Sequence, residues 1–67
     1  MVKTNELLAV IDASGMKKQF LAKELGISIA TFWRKIRGLT EFKPSEIARL
    51  SELLGIGSLK ERDRLFF

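Results

Sequence analysis

Phe20–Gly38, FLAKELGISIATFWRKIRG, is the stretch whose reading decides the fold. A short amphipathic helix ends at Gly26, and a second begins at Ser28 and ends at Gly38. Gly26 suits the left-handed position that closes a helix, because glycine alone enters it without a steric penalty. Ser28 suits the cap of the next helix, its hydroxyl accepting from a free amide of the first turn. Ile27 and Phe32 have the spacing of a hydrophobic staple, which fixes the angle between the two helices. A helix, a tight turn with glycine and a second helix make a helix-turn-helix arrangement.

The second of these helices, Ile29 to about Arg37, has two unlike sides. Phe32 and Ile36 are four apart and face inward, which leaves Ile29, Ala30, Trp33, Arg34 and Arg37 on the outward side. Large apolar groups are normally covered. Trp33 therefore packs either half-buried against a neighbouring helix or on the sugar and base atoms of DNA. In the preceding helix, Lys17 to Leu25, Leu21 and Leu25 share a face, and Ala22 is small where another helix must approach closely. Its start is poorly capped. Met16, Lys17 and Lys18 offer no side-chain acceptor, and the lysine charges oppose the helix dipole. An anionic phosphate there relieves both defects; a frayed end with two solvated lysines is the plain alternative.

Outward from this pair the chain reads as scaffold. The first helix spans about Asn5–Ser14, with Thr4 as its cap, Glu6 at the positive end of the dipole and Gly15 as its stop. Leu7, Leu8 and Ile11 form its buried stripe, and Asp12 is solvated. After Gly38 comes a loop, GLTEFK, in which Leu39 and Phe42 anchor to the core while Thr40 and Lys43 meet phosphate or solvent. Pro44 opens a fourth helix to about Leu54, with Ile47, Leu50, Leu53 and Leu54 as its apolar stripe, Glu46 favouring its N-terminus and Gly55 ending it. Ser58 and Glu61 form an S-x-x-E capping box for a final short helix. From it Leu59 and Leu65 return to the core, and Lys60–Arg64 reads as a solvated face of mixed charge. The terminal Phe66-Phe67 either folds back on the core or contacts a partner.

The sequence as a whole narrows the function. Sixty-seven residues make one domain at most, 1–67, with a core small enough that association with a partner is plausible. No cysteine and no histidine occur, which removes disulfides, the two commonest zinc ligands and nucleophilic catalysis by a Ser-His or Cys-His pair. A reducing cytoplasm fits best. The N-terminus lacks a signal-peptide pattern, and no apolar run approaches the ~18 residues that span a bilayer. The chain reads as a complete small gene product. Net charge is +4. Residues 17–43 hold seven Lys/Arg against two acids, a balance of +5, while the remainder holds five against six. A localised basic patch is the footprint of a polyanion binder, although a solubilising surface has the same composition.

The segment LAKELGIS followed by ATFWRKIRG resembles the helix-turn-helix of phage repressor and Cro-like regulators, the lambda repressor-like family. The resemblance extends through FKPSEIARLSELLGI, which looks like the fourth helix of that fold, so it covers nearly all of residues 5–59. The L-A-x-x-L-G-I-S core also occurs in phage excisionases, but a helix at Pro44 in place of a β-hairpin wing decides against that type. The resemblance implies an all-α, compact bundle of five short helices with the helix-turn-helix at helices 2–3. It also implies binding to double-stranded operator DNA, usually as a dimer on a two-fold site. Carried over by position, the base-contact candidates are Ser28, Ile29, Ala30, Trp33, Arg34 and Arg37, and Lys17 to Gln19 fall where the family grips phosphate. Thr31, Lys35, Thr40 and Lys43 are further phosphate-contact candidates. Two departures stand out. The family often has Ser or Thr and then Gln where this chain has Lys17 and Lys18, with Gln19 displaced by one. The reading helix also lacks the Gln and Asn that read adenine. Ile29 and Ala30 suit thymine methyls, and Arg34 suits a bidentate contact to guanine.

These readings lead to the expectation of a cytoplasmic DNA-binding transcriptional regulator of a phage or prophage, Cro-like or a one-domain repressor. No cofactor, metal or small-molecule substrate is expected, and a homodimer through Phe66 and Phe67 is possible. The competing expectation is a protein-interaction module on the same fold, such as an antirepressor or antitoxin, with Trp33 and Phe66-Phe67 as interface anchors. An enzyme ranks a distant third, since no carboxylate lies in a recognisable cluster with a base or a cofactor loop.

Overall fold

The structure, a computed structural model, describes residues 2–67. Five helices follow one another: α1 Thr4–Ser14, α2 Lys18–Glu24, α3 Ile29–Ile36, α4 Pro44–Leu54 and α5 Leu59–Phe66. No strand occurs among the described residues, and the helices form one compact all-α arrangement. No helix is long and apolar enough to cross a membrane among the described residues.

Each helix buries residues one turn apart, or side by side, on a single side. Leu7 and Ile11 do so on α1, Leu21 and Ala22 on α2, and Phe32 and Ile36 on α3. On α4 the pair is Ile47 and Leu50, and on α5 it is Leu65 and Phe66. All ten join one cluster, and Phe42 from the α3–α4 loop packs edge-on to both Phe32 and Phe66, at 6.5 and 5.3 Å between ring centroids. Helix α1 lies against α3, α4 and α5, while α4 lies against α1, α2 and α5. The α2–α3 pair therefore rests on α1 and α4.

The turn between α2 and α3 is fixed by its own hydrogen bonds. Gly26 takes φ of 73°. Its amide donates to the Lys23 carbonyl at 3.0 Å, and the Ile27 amide donates to the Ala22 carbonyl at 3.1 Å. These two bonds satisfy carbonyls that the end of α2 leaves without helical partners. Two residues later Ser28 Oγ accepts from the Thr31 amide at 3.1 Å and starts α3. Replacing this cap is expected to matter locally. Ser28→Ala should lower stability by about 1 kcal/mol, measured by thermal denaturation.

Several expectations for the flanks need correction. Thr4 does not cap α1: the helix starts at Thr4 itself, and Lys3 precedes it without a side-chain cap. Thr4 Oγ1 instead donates to the Ile36 carbonyl at 2.7 Å, one of the carbonyls that the last turn of α3 leaves open. Leu39 and Leu59 do not reach the core; both stay exposed, and the Leu39 amide is tied back to the Arg34 carbonyl at 2.9 Å. The α5 surface is not merely solvated, because Arg64 pairs with Glu6 of α1 and lies 3.8 Å from Glu61. Of the capping box, Ser58 Oγ accepts from the Glu61 amide at 3.3 Å.

Candidate nucleic-acid interface

On α3, Arg34 and Arg37 are exposed, as are Ser28 and Ala30, while Ile29 and Trp33 are half-buried. Ala30, Arg34 and Arg37 lie on the outward side defined by burying Phe32 and Ile36, Trp33 stands on its shoulder, and Ile29, expected to face outward, packs partly buried against the core instead. The Ser28 hydroxyl is committed within the turn: beyond its capping bond it donates to Thr31 Oγ1 at 2.9 Å. That pairing makes Ser28 and the partly covered Thr31 parts of the α3 start. Trp33 is flanked by two cations, Lys18 from the first turn of α2 and Arg37 from the end of α3, at 5.6 and 5.9 Å from its ring. The two alternatives left open for Trp33 thus meet in one position, since the indole is partly covered and still borders the outward side.

The start of α2 is as bare as the sequence suggests. Lys17 holds the cap position in an extended conformation without a side-chain cap, and no acid occurs in the first turn. Lys17 and Gln19 are exposed. Lys18 is not simply available to a phosphate, because its ammonium lies 3.4 Å from Asp12 Oδ1. Asp12, read as solvated, is therefore an ion-pair partner. Thr40 and Lys43 are exposed on the loop and at the cap of α4.

Lys35 requires the clearest correction. Expected at a phosphate, it is only 4 % exposed, and its ammonium pairs with the Glu46 carboxylate inside the fold. Glu46 also accepts from the Lys43 amide at 2.8 Å and so holds the entry of α4. Burial pushes the Glu46 carboxyl up. The Lys35 hydrogen bond, the Lys43 amide and the charges of both lysines outweigh this and hold it below its ordinary 4.5. A buried ammonium so paired cannot leave for a phosphate without stranding Glu46.

The charges sort themselves by location. Arg49 on α4 draws Glu24 of α2 to 2.6 Å and Glu52 to 3.4 Å, on the side where α2 meets α4. Glu46 is held by Lys35 and Glu6 by Arg64. Among the described residues, Lys17, Lys23, Arg34, Arg37 and Lys43 have no acidic partner. Against them in the 17–43 stretch only Glu41 is likewise without an ion pair, so the open charge there is +4. Lys23 was not singled out by motif, and its position on the exposed side of α2 was the signal that places it with this group.

At the other end of α3 a cleft of about 240 Å³ is lined by Val2, Lys35, Gly38, Thr40, Glu41, Phe42, Ile47, Phe66 and Phe67. Phe66 is part of its wall and is buried, so of the two alternatives left open for the terminal pair it takes the fold-back on the core; Phe67 is 69 % exposed. Comparison with known proteins returns nothing: no family model matches the chain, and neither does any curated protein or solved structure.

Proposed function

We propose that the chain is a sequence-specific DNA-binding regulator in which α2, the Gly26 turn and α3 act as a helix-turn-helix. Helix α3 enters the major groove of double-stranded operator DNA. The observation that carries this reading is the distribution of open charge. Arg34 and Arg37 project from α3 without acidic partners, while acids that would cancel them are held elsewhere by Lys35, Arg49 and Arg64. Lys17 and Lys43 extend the basic surface to either side, where phosphates flank a groove. The proposal includes the Cro-like or one-domain-repressor role that the sequence resemblance implies, action in the cytoplasm of a bacterial host, and a homodimer on a two-fold site.

Selection from a random duplex library, followed by footprinting, tests the reading. Two protected half-sites about one helical turn (~34–36 Å) apart are expected. Binding to mixed duplex DNA should weaken steeply as salt rises. No binding at low salt sinks the proposal. It would favour the partner-binding module, for which the exposed Phe20, Leu39, Leu59 and Phe67 provide the apolar surface. Within the site, Arg34→Ala should cost about 1–3 kcal/mol on the selected duplex and relax discrimination at one base pair. An equal loss on every sequence would reassign Arg34 to phosphate.

A further inference from the structure

Two cations flank one indole, and one of them is tied to an acid on a third helix. Asp12 stands near the end of α1, Lys18 opens α2, Trp33 lies on α3, and Arg37 follows one turn later at the α3 C-cap. Lys18 Nζ lies 3.4 Å from Asp12 and 5.6 Å from the Trp33 ring centroid, and the Arg37 guanidinium lies 5.9 Å from the same centroid. The Lys18 side chain is 28 % exposed, against 71 % for Asp12, so Lys18 is largely covered while its acidic partner faces solvent. A cation over an indole is attracted by the ring quadrupole. The ring is therefore held by a cation from another helix and offers a fixed neighbour to the Arg37 side chain.

We propose that Lys18 is a positioning residue for Trp33: pinned between Asp12 and the indole, it fixes the Trp33 ring, and thereby Arg37, on the base-reading side of α3. This rests on the reading of α3 as the helix that enters the groove. It separates Lys18 from its neighbour Lys17. Lys17 is exposed and has no acidic partner among the described residues, so a phosphate at Lys17 is a net neutralisation that releases a counterion. A phosphate at Lys18 must first displace Asp12 and gains no net charge. Lys18 thus serves discrimination between sequences, and Lys17 serves affinity for any duplex.

Trp33 is the only tryptophan, and the chain has no tyrosine, so intrinsic fluorescence reports on this ring alone. The experiment compares the full-length wild type with Lys17→Met, Lys18→Met and Lys18→Arg. Acrylamide quenching is measured without DNA. Affinity and salt slope are measured on the duplex recovered by selection and on a random-sequence duplex. Lys18→Met should raise quenching and weaken the selected duplex roughly two- to fivefold, the size of one exposed cation–π contact. It should leave the random duplex and the salt slope unchanged. Lys18→Arg should restore both properties, and Lys17→Met should lower the slope by about 0.9 on either duplex. Unchanged quenching in Lys18→Met, or a slope lowered as in Lys17→Met, overturns the assignment of Lys18 alone. Absence of DNA binding by the wild type overturns the regulator reading and with it the role in discrimination, whatever the quenching shows.

Discussion

Glu46→Leu is expected to destabilise the fold by about 3–5 kcal/mol, the usual cost of leaving one member of a buried ion pair without the other. The substituted chain would hold the Lys35 ammonium, 4 % exposed, against Phe42 and Ile47 in the cleft beside α4 with no carboxylate to meet it. It would also lose the acceptor for the Lys43 amide that shapes the entry to α4. A chain of 67 residues has a total stability of only about 3–10 kcal/mol at the usual stability per residue, so the loss removes from about a third to all of it. Urea denaturation followed by circular dichroism measures it. The double variant Lys35→Met, Glu46→Leu should recover all but about 1 kcal/mol, because the desolvation cost of both charges goes with them and only the Lys43 hydrogen bond stays lost. A double variant as unstable as the single one would show that the pair is not the cause.

The same pair sets a pH dependence whose sign follows from the lowered Glu46 pKa. The folded state holds Glu46 ionised more strongly than the unfolded chain does. This stabilisation is fully present above the ordinary value of 4.5 and is lost as pH falls through the lower folded value. Wild type minus double variant isolates that component from the other carboxylates. The difference should be flat near neutrality and should shrink only below about pH 4.5. A difference that grows on acidification would contradict the assignment.

Why Lys35 escaped the sequence reading is a matter of helix geometry. Phe32 and Ile36 define the buried stripe of α3. At about 100° per residue, Lys35 and Trp33 both stand about 80° from its centre, on opposite shoulders. Periodicity alone assigns such shoulder positions to neither side. Which shoulder is covered depends on what packs beside it, and that is long-range information. The 38–43 loop and the start of α4 cover Lys35, and Lys18 of α2 borders Trp33. By contrast, residues at the centre of a stripe, or bound to local hydrogen-bond chemistry, were legible. Leu7, Ile11, Leu21, Ala22, Ile47 and Leu50 are buried as their spacing requires. Gly26, Ser28, Pro44, Gly55 and Ser58 punctuate the helices where local backbone physics puts them. The five-helix, all-α architecture follows from those two signals. The tethers do not: Thr4 to Ile36, Glu24 to Arg49 and Glu6 to Arg64 join residues distant in sequence, and no pattern within a single helix predicts which charges will meet. The candidate interface is legible to the same degree, with Arg34 and Arg37 outward by periodicity and the removal of Lys35 and the pairing of Lys18 visible only after folding.

Phe66→Ala and Phe67→Ala should differ sharply, although the residues are adjacent and identical. Phe66 is 5 % exposed, stands edge-on to Phe42 at 5.3 Å, and closes one wall of the cleft that also reaches Ile47 and Lys35. Its truncation removes a buried ring and joins the space left behind to that cleft, so about 3–5 kcal/mol of stability should be lost. Phe67 follows the end of α5, and Phe67→Ala should change stability by no more than about 0.5 kcal/mol. Thermal denaturation over a range of protein concentrations separates this from a role in association. An anchor of a homodimer makes the midpoint depend on concentration, and its removal erases that dependence. A core residue lowers the midpoint equally at every concentration. A uniform drop for Phe66→Ala assigns Phe66 to the core and leaves Phe67, if either, to carry a contact between copies. Phe66→Leu provides the control, because it keeps most of the apolar volume and should cost less than about 1.5 kcal/mol. If Phe66→Ala instead retained the wild-type midpoint in dilute solution, α5 would not be packed against Phe42, and the ring would contribute nothing to the core cluster that joins the five helices.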